Sequence, residues 1–234
     1  MCGRVRLSND YSEIKIRLRF DATAPAPNLP PSWNIPPTEK MLVATYTKDG
    51  RCISEVMRWG LVPWWAKDIK VGYSTFNARA DSVTTKPAFR DAWKRGQRCL
   101  VVTNGFYEWR KRDRQAFAIG MADDDLMVMA GLWDEWKSPQ CERIKSCTVI
   151  TTEPNNVIGA LHDRMPVILA EKDWPKWLGE EPATEEELKA LLVPCADERI
   201  EIWPVDKRVG NVRNNGPELA KPIHAEPQLR GALV

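Results

Sequence analysis

Short β-rich runs separated by polar turns dominate the chain from Met41 to Thr152, and they limit the folds open to it. The runs are Met41–Thr47, Cys52–Met57, Cys99–Thr103, Phe106–Arg110, Gln115–Ile119, Leu126–Trp133 and Ser146–Thr152. Asp49-Gly50 between the first two is a hairpin signal. Helical signals are few. Lys86–Arg95 places Ala88, Phe89, Ala92 and Trp93 at helical spacing, with Pro87 near its start. Thr184-Glu185-Glu186-Glu187 is a capping box that opens a short helix toward Leu192. Many strands with few helices between them indicate an α+β fold with a largely antiparallel, curved or barrel-like sheet and peripheral helices. The run from Ala24 to Pro37 is too Pro-rich for helix or central strand. It is also too apolar for a linker, with Leu29, Trp33 and Ile35 inside it, so it is expected to be an ordered extended loop. One domain over 1–234 is the simplest account, with 219–234 a polar peripheral tail.

Net charge is only +2, so any nucleic-acid site must be a local patch rather than a general polyanion surface. Eleven Trp suit a packed core, and they also suit stacking on exposed bases. The cysteines include no C-x-x-C, and only His162 and His224 could join them, so no metal site is expected. Arg4 and Arg6 are followed by polar residues rather than the apolar core of a signal peptide. No stretch approaches the roughly 20 apolar residues of a membrane helix. These features describe an intracellular, cytoplasmic protein with reduced thiols and no membrane partner.

The chain opens Met1-Cys2-Gly3-Arg4. A small second residue favours removal of Met1, which would leave Cys2 with a free α-amine beside a thiol. Such a 1,2-aminothiol condenses with aldehydes: the amine forms an imine, and the thiol closes a five-membered thiazolidine. An α-amine titrates near 8, against about 10.4 for Lys, so roughly a tenth of it is neutral at pH 7. The thiol is the second nucleophile.

Imine formation expels water and needs a proton donor and acceptor. Glu108, in Phe106-Tyr107-Glu108-Trp109, is a candidate, although strand alternation would equally permit a solvent-facing Glu. His162, in Ala160-Leu161-His162-Asp163-Arg164-Met165-Pro166, follows a short helix and precedes the apolar strand Pro166–Leu169. Its chemistry suits proton transfer or phosphate contact, or simply a structural role. Asn77, in Asn77-Ala78-Arg79-Ala80-Asp81, could orient an amine and Arg79 could meet phosphate, or Asn77 could cap the loop while Arg79 and Asp81 form a surface ion pair. Trp59-Gly60-Leu61-Val62-Pro63-Trp64-Trp65 is either a base-stacking wedge or a buried corner.

Taken in order, MCGR, WGLVPWW, NARAD, NGFYEW, HDRMP and WPVDKRVGNVRNNGPEL closely resemble the SOS response-associated peptidase (SRAP) family, across roughly Met1 to Leu219. The resemblance implies a distorted β-barrel. It also implies binding to single-stranded or junction DNA that carries an abasic site, with no cofactor, by a monomer that sits on the nucleoid when engaged. The aldehyde of the ring-opened abasic sugar is the electrophile that Cys2 chemistry requires. By resemblance, Cys2 forms the crosslink, Asn77 holds its backbone and the adduct, Glu108 is the acid/base, and His162 lies beside the sugar and its phosphate. Arg4, Arg79 and Arg164 resemble phosphate contacts. Trp64, Trp65 and Trp109 resemble stacking or wedge residues, and Pro36 and Thr151 lie on DNA-lining segments. Asp81 stands where many relatives carry Glu. Autoprocessing at Cys2 and abasic-site lyase activity are implied as well. Two other readings remain at this stage: a thiol peptidase that uses Cys2 on a peptide carbonyl, and a non-covalent single-strand binder.

Overall fold

A computed structural model describes residues 2–223. In chain order its strands are β1 (Val5–Leu7), β2 (Ser32–Ile35), β3 (Lys40–Tyr46), β4 (Cys52–Trp59), β5 (Asn77–Arg79), β6 (Arg98–Thr103), β7 (Gly105–Trp109), β8 (Ala116–Met121), β9 (Met127–Lys137), β10 (Arg143–Thr152), β11 (Met165–Pro166) and β12 (Ile200–Pro204). The helices are short: α1 (Tyr11–Arg17), α2 (Arg90–Lys94), α3 (Asn156–Gly159), α4 (Trp174–Leu178) and α5 (Glu185–Ala190).

Five strands close a barrel. β3 pairs antiparallel with β4 from Lys40↔Arg58 to Tyr46↔Cys52, the hairpin that Asp49-Gly50 signals. β3 also pairs with β6, β6 with β9, and β9 with β10, all antiparallel. The ring shuts where β10 meets β4 in parallel, at Ser146↔Arg58 and Cys147↔Trp59. Closure gives each strand of this ring a paired neighbour on both sides, over only two residue pairs at the β10–β4 seam. Val43, Trp59, Leu100, Met129 and Val149 are fully or almost fully buried within the core. Each such large side chain contributes about 1.5–3 kcal/mol by leaving water. The largely antiparallel barrel expected from the sequence is therefore present, with one parallel seam.

A second sheet, in the order β12-β8-β7-β1-β2, is antiparallel throughout. Phe106 and Ile119 face the main core, while Tyr107, Ala116 and Ala118 pack on the opposite face with Val205, Val209 and Leu219. This sheet is therefore covered on both sides. Because side chains alternate along a strand, Glu108 shares the face of Phe106.

Three expectations need correction. The Pro-rich run contributes an edge strand, β2, rather than loop alone; Pro31 and Pro36 flank it, where no ladder donor is required of them. The predicted Lys86–Arg95 helix shrinks to α2, and Pro87 sits in the turns before it, although Phe89, Ala92 and Trp93 are buried as their spacing requires. Leu219, assigned to a peripheral tail, is fully buried, and the Ile223 amide donates to the Pro204 carbonyl at 3.0 Å. Residues 224–234, including His224, lie outside the described residues. The capping box at Thr184 forms with both of its reciprocal bonds.

The far half of β10 builds the site. Beyond the β4 seam it pairs in parallel with β5, at Val149↔Asn77 and Thr151↔Arg79. On its other side it pairs with β11, at Thr151↔Pro166 and Thr152↔Met165. Asn77, Arg79, Thr151 and the loop that carries His162 and Arg164 thus converge at one end of β10.

Candidate nucleophilic site and nucleic-acid interface

Cys2 is 1% exposed and leads directly into β1, which pairs with β7 at Val5↔Phe106. The Tyr107 amide donates to the Arg4 carbonyl at 2.8 Å, which fixes the register of the N-terminal segment against the Glu108 strand. Asn77 Nδ2 donates to the Cys2 carbonyl at 2.7 Å. Its Oδ1 is buried and has no hydrogen-bond partner among the described residues. An amide oxygen so placed can accept from an ammonium or amine beside Cys2.

Burial pushes the Cys2 thiol above its ordinary range, and the Glu108 charge pushes it the same way, against a smaller downward pull from the Arg4 amide. The Cys2 thiol therefore stays protonated through neutral pH and needs a base to react. Glu108, 6% exposed, is close enough to act electrostatically on both Cys2 and His162. Desolvation lowers the His162 pKa, and the Glu108 charge opposes that shift. His162 Nδ1 lies 3.0 Å from the Arg164 amide and 2.8 Å from Asp163 Oδ1. These two contacts require opposite protonation states of Nδ1. The lowered pKa favours the neutral ring, in which Nδ1 accepts from the Arg164 amide and Nε2 carries the proton. Cys2, Asn77, Glu108 and His162, drawn from four distant segments, are thus brought together.

The candidate DNA contacts divide into two groups. Trp64 and Trp65 are 54% and 45% exposed on the loop after β4. The Trp64 amide donates to Asp134 and its indole donates to Asp91 at 3.2 Å, so the ring is held outward. The same loop is laced to the segment entering β5, since Thr75 Oγ1 donates to the Leu61 carbonyl at 2.6 Å. There Gly60, with φ +126°, lies against the Gly72 carbonyl, 2.3 Å from where a Cβ would stand. Arg79 is exposed. Pro36 follows β2 and lines an open hollow with Asn34 and Lys40.

Others are already engaged. Arg4 Nη1 donates to Asn34 Oδ1 at 2.8 Å and to the Val209 carbonyl at 2.7 Å, and its guanidinium lies 5.7 Å from the centre of the Trp109 ring. Trp109 is half-buried beneath it. Thr151 is fully buried, donates to the Ala78 carbonyl at 3.2 Å, and accepts from Arg164 Nη2 at its own carbonyl, 2.5 Å away. Thr151 therefore acts on the surface through Arg164. Asp81 forms the surface ion pair with Arg79 that the sequence allowed, bidentately at 2.7 Å, and lies 3.8 Å from Arg164.

Asp81 holds the Arg79 guanidinium in one orientation, a fixed cation that a phosphate can meet. Arg79→Ala is expected to weaken non-covalent binding to all single-stranded sequences about equally, since phosphate contacts carry no base information. Titrating strands of different sequence at one salt concentration checks this, and a loss confined to one flanking base would contradict it.

A closed mixed barrel and a covering antiparallel sheet, with a buried Cys2 held by Asn77 and within reach of the Glu108 charge, define a class of β-barrel protein with a candidate nucleophilic site at its N-terminal segment. The model of the SOS response associated peptidase (SRAP) family matches residues 1–212, and the chain belongs to that family. It is similar to the abasic site processing protein YoqW of Bacillus subtilis, 34% identical over 222 residues that cover 94% of this chain and 98% of that one. The abasic site processing protein HMCES of Rattus norvegicus is 33% identical over 213 residues, which span 75% of this chain and 60% of that longer protein. A solved structure of a Bacteroides thetaiotaomicron protein superimposes with a TM-score of 0.83 at 22% identity, covering 95% of this chain and all of that one, and it supports the fold. Among the described residues no helix is long and apolar enough to cross a membrane.

Proposed function

We propose that this protein recognises abasic sites in single-stranded or junction DNA and links itself to them through Cys2 once Met1 is removed. The observation that carries this reading is Cys2 itself, buried within reach of the Glu108 charge, which also reaches His162, with its backbone held by Asn77. The names of the relatives, abasic site processing proteins, support it.

The chemistry balances without a cofactor. The neutral α-amine attacks C1′ of the ring-opened sugar, and the carbinolamine loses water to give an imine. The thiol adds to the imine carbon and its proton passes to nitrogen, closing the thiazolidine. One water leaves in total. Glu108, whose charge reaches Cys2, protonates the departing hydroxyl and then takes the thiol proton, and the run back through the same residues reverses the link. Neutral His162 with its proton on Nε2 can donate to the sugar oxygen or its phosphate. Self-processing before Cys2 and abasic-site lyase chemistry would draw on the same residues.

The test is to incubate the chain, with and without Met1, with single-stranded abasic DNA and look for a heat- and detergent-stable shifted band. The chain lacking Met1 is expected to form it. The chain retaining Met1 is expected not to, because its Cys2 nitrogen is an amide. Equal yield from both, with the N-termini fixed by mass spectrometry, would refute the role of the amine. Glu108→Gln is expected to slow formation and reversal by about 10²–10⁴-fold, the usual contribution of a positioned acid/base, with non-covalent binding close to normal. Transfer of protein from crosslinked DNA to excess abasic competitor measures the reverse rate. Unchanged rates in both directions would reduce Glu108 to a structural residue.

A further inference from the structure

Beside His162, a hollow of about 520 Å³ lies between the β7–β8 turn and the residues that flank and end α3. We propose that it is a nucleotide subsite, which takes a base and the adjoining phosphates of the damaged strand on one flank of the lesion. The proposal rests on the reading above that the strand's abasic sugar sits at Cys2 and His162.

Four observations support it. The walls are apolar, formed by Phe117, Leu161 and Pro154, and suit a flat base. Gly159 and Ala160 present no bulk to fill the space, and a Cβ at Gly159 would meet nothing nearer than Pro154 Cγ at 3.9 Å. The rim is cationic. Arg110 stacks 5.1 Å over Phe117 and is tied to Asp113 at 2.6 Å, while Lys111 and Arg112 are exposed and carry no ion pair among the described residues. Finally, the hollow is continuous with the site. His162 and Asp163 line it, and the Lys111 charge reaches both of them. The volume lies within the range of about 300–1,000 Å³ typical of small-molecule pockets, enough for a nucleoside. A neutral apolar ligand would leave Lys111 and Arg112 unused. An anionic strand with bases satisfies both wall and rim.

The test uses single strands carrying a stable abasic analogue that lacks the aldehyde, so that only non-covalent binding is read. One set extends several nucleotides 5′ of the lesion, the other 3′. Lys111→Ala/Arg112→Ala is compared with the unchanged chain across a salt series. For one flank only, the slope of log affinity against log salt is expected to fall by about 1.4, from about 0.7 per phosphate contact on single strands. Ala160→Trp, an exposed change that fills the hollow, is expected to weaken binding to that same set on the order of tenfold, about one stacked base. Thermal melts confirm that each variant folds, and the double variant decides alone if Ala160→Trp does not. Slopes and affinities equal to those of the unchanged chain on both flanks, or losses equal on both, overturn the subsite. Failure of the unchanged chain to crosslink aldehyde-bearing strands would instead overturn the proposed function, and the binding comparison would still decide whether the hollow holds a nucleotide.

Discussion

Cys2→Ala is expected to abolish the heat-stable link to abasic DNA altogether. The substitution keeps the α-amine, so the imine can still form, but there is no sulfur to close the ring. An imine hydrolyses on denaturation and would be trapped only by adding a reductant such as borohydride. The fold should survive. The side chain lost is small, and the Asn77 bond is to the Cys2 carbonyl, which Ala retains. Non-covalent affinity for abasic strands should then match that of the unchanged chain, which separates loss of chemistry from loss of binding. A stable, unreduced adduct from Cys2→Ala would sink the thiazolidine mechanism. The buried thiol also makes a prediction in alkali. Its folded pKa is raised, first by burial and then by the Glu108 charge. The associated stability is fully present below the unfolded value, about 8.5, and is lost as pH rises toward the folded one. Stability should therefore fall less steeply above about pH 8.5 in Cys2→Ala than in the unchanged chain.

Much of this was legible in the sequence, and the exceptions share a cause. Strand alternation and the hairpin signal at Asp49-Gly50 are local, and they placed the barrel strands nearly where they occur. What alternation could not decide was the face of Glu108. Its burial depends on the Cys2 segment and β1 packing across β7, partners about a hundred residues away in sequence. Arg4 shows the same limit more sharply. Its motif resembles a phosphate contact, yet its guanidinium is engaged by Asn34 and the Val209 carbonyl, 30 and 205 residues distant. An Arg read alone is a cation looking for an anion. Only the fold shows that carbonyls and an aromatic face have already oriented it. Thr151 was found as a position, but its hydroxyl and carbonyl face inward, so its effect passes through Arg164. The Asp81 clamp and the cationic rim at 110–112 were local enough to be seen, but an exposed charge in a sequence has no direction until the backbone gives it one.

Gly105→Ala is expected to be the most destabilising single methyl that can be added near the site, by about 4 kcal/mol. Two costs combine, each roughly 1–3 kcal/mol: a backbone conformation open essentially only to Gly, and overpacking that cannot relax. Gly105 has φ +145°, and a Cβ there would stand 2.0 Å from the Ile119 carbonyl oxygen and 3.1 Å from its carbon. The obstacle is backbone on the paired strand β8, held in register by Phe106↔Ile119, so no side chain can swing aside. Gly105 also pairs with Arg6 on β1. Relieving the overlap must shift β7 against β8 or against β1. Either shift moves Glu108, three residues along, relative to Cys2. The expected result is therefore a loss of stability and of crosslinking together, whereas Glu108→Gln loses rate and keeps stability. Against a typical folding free energy of about 5–15 kcal/mol, a loss of this size leaves many domains marginal at 37 °C. Urea unfolding of the variant beside the unchanged chain measures it. A destabilisation under about 1 kcal/mol, the ordinary scale of a point mutation, would show that β7 can relax where its tight backbone approach says it cannot.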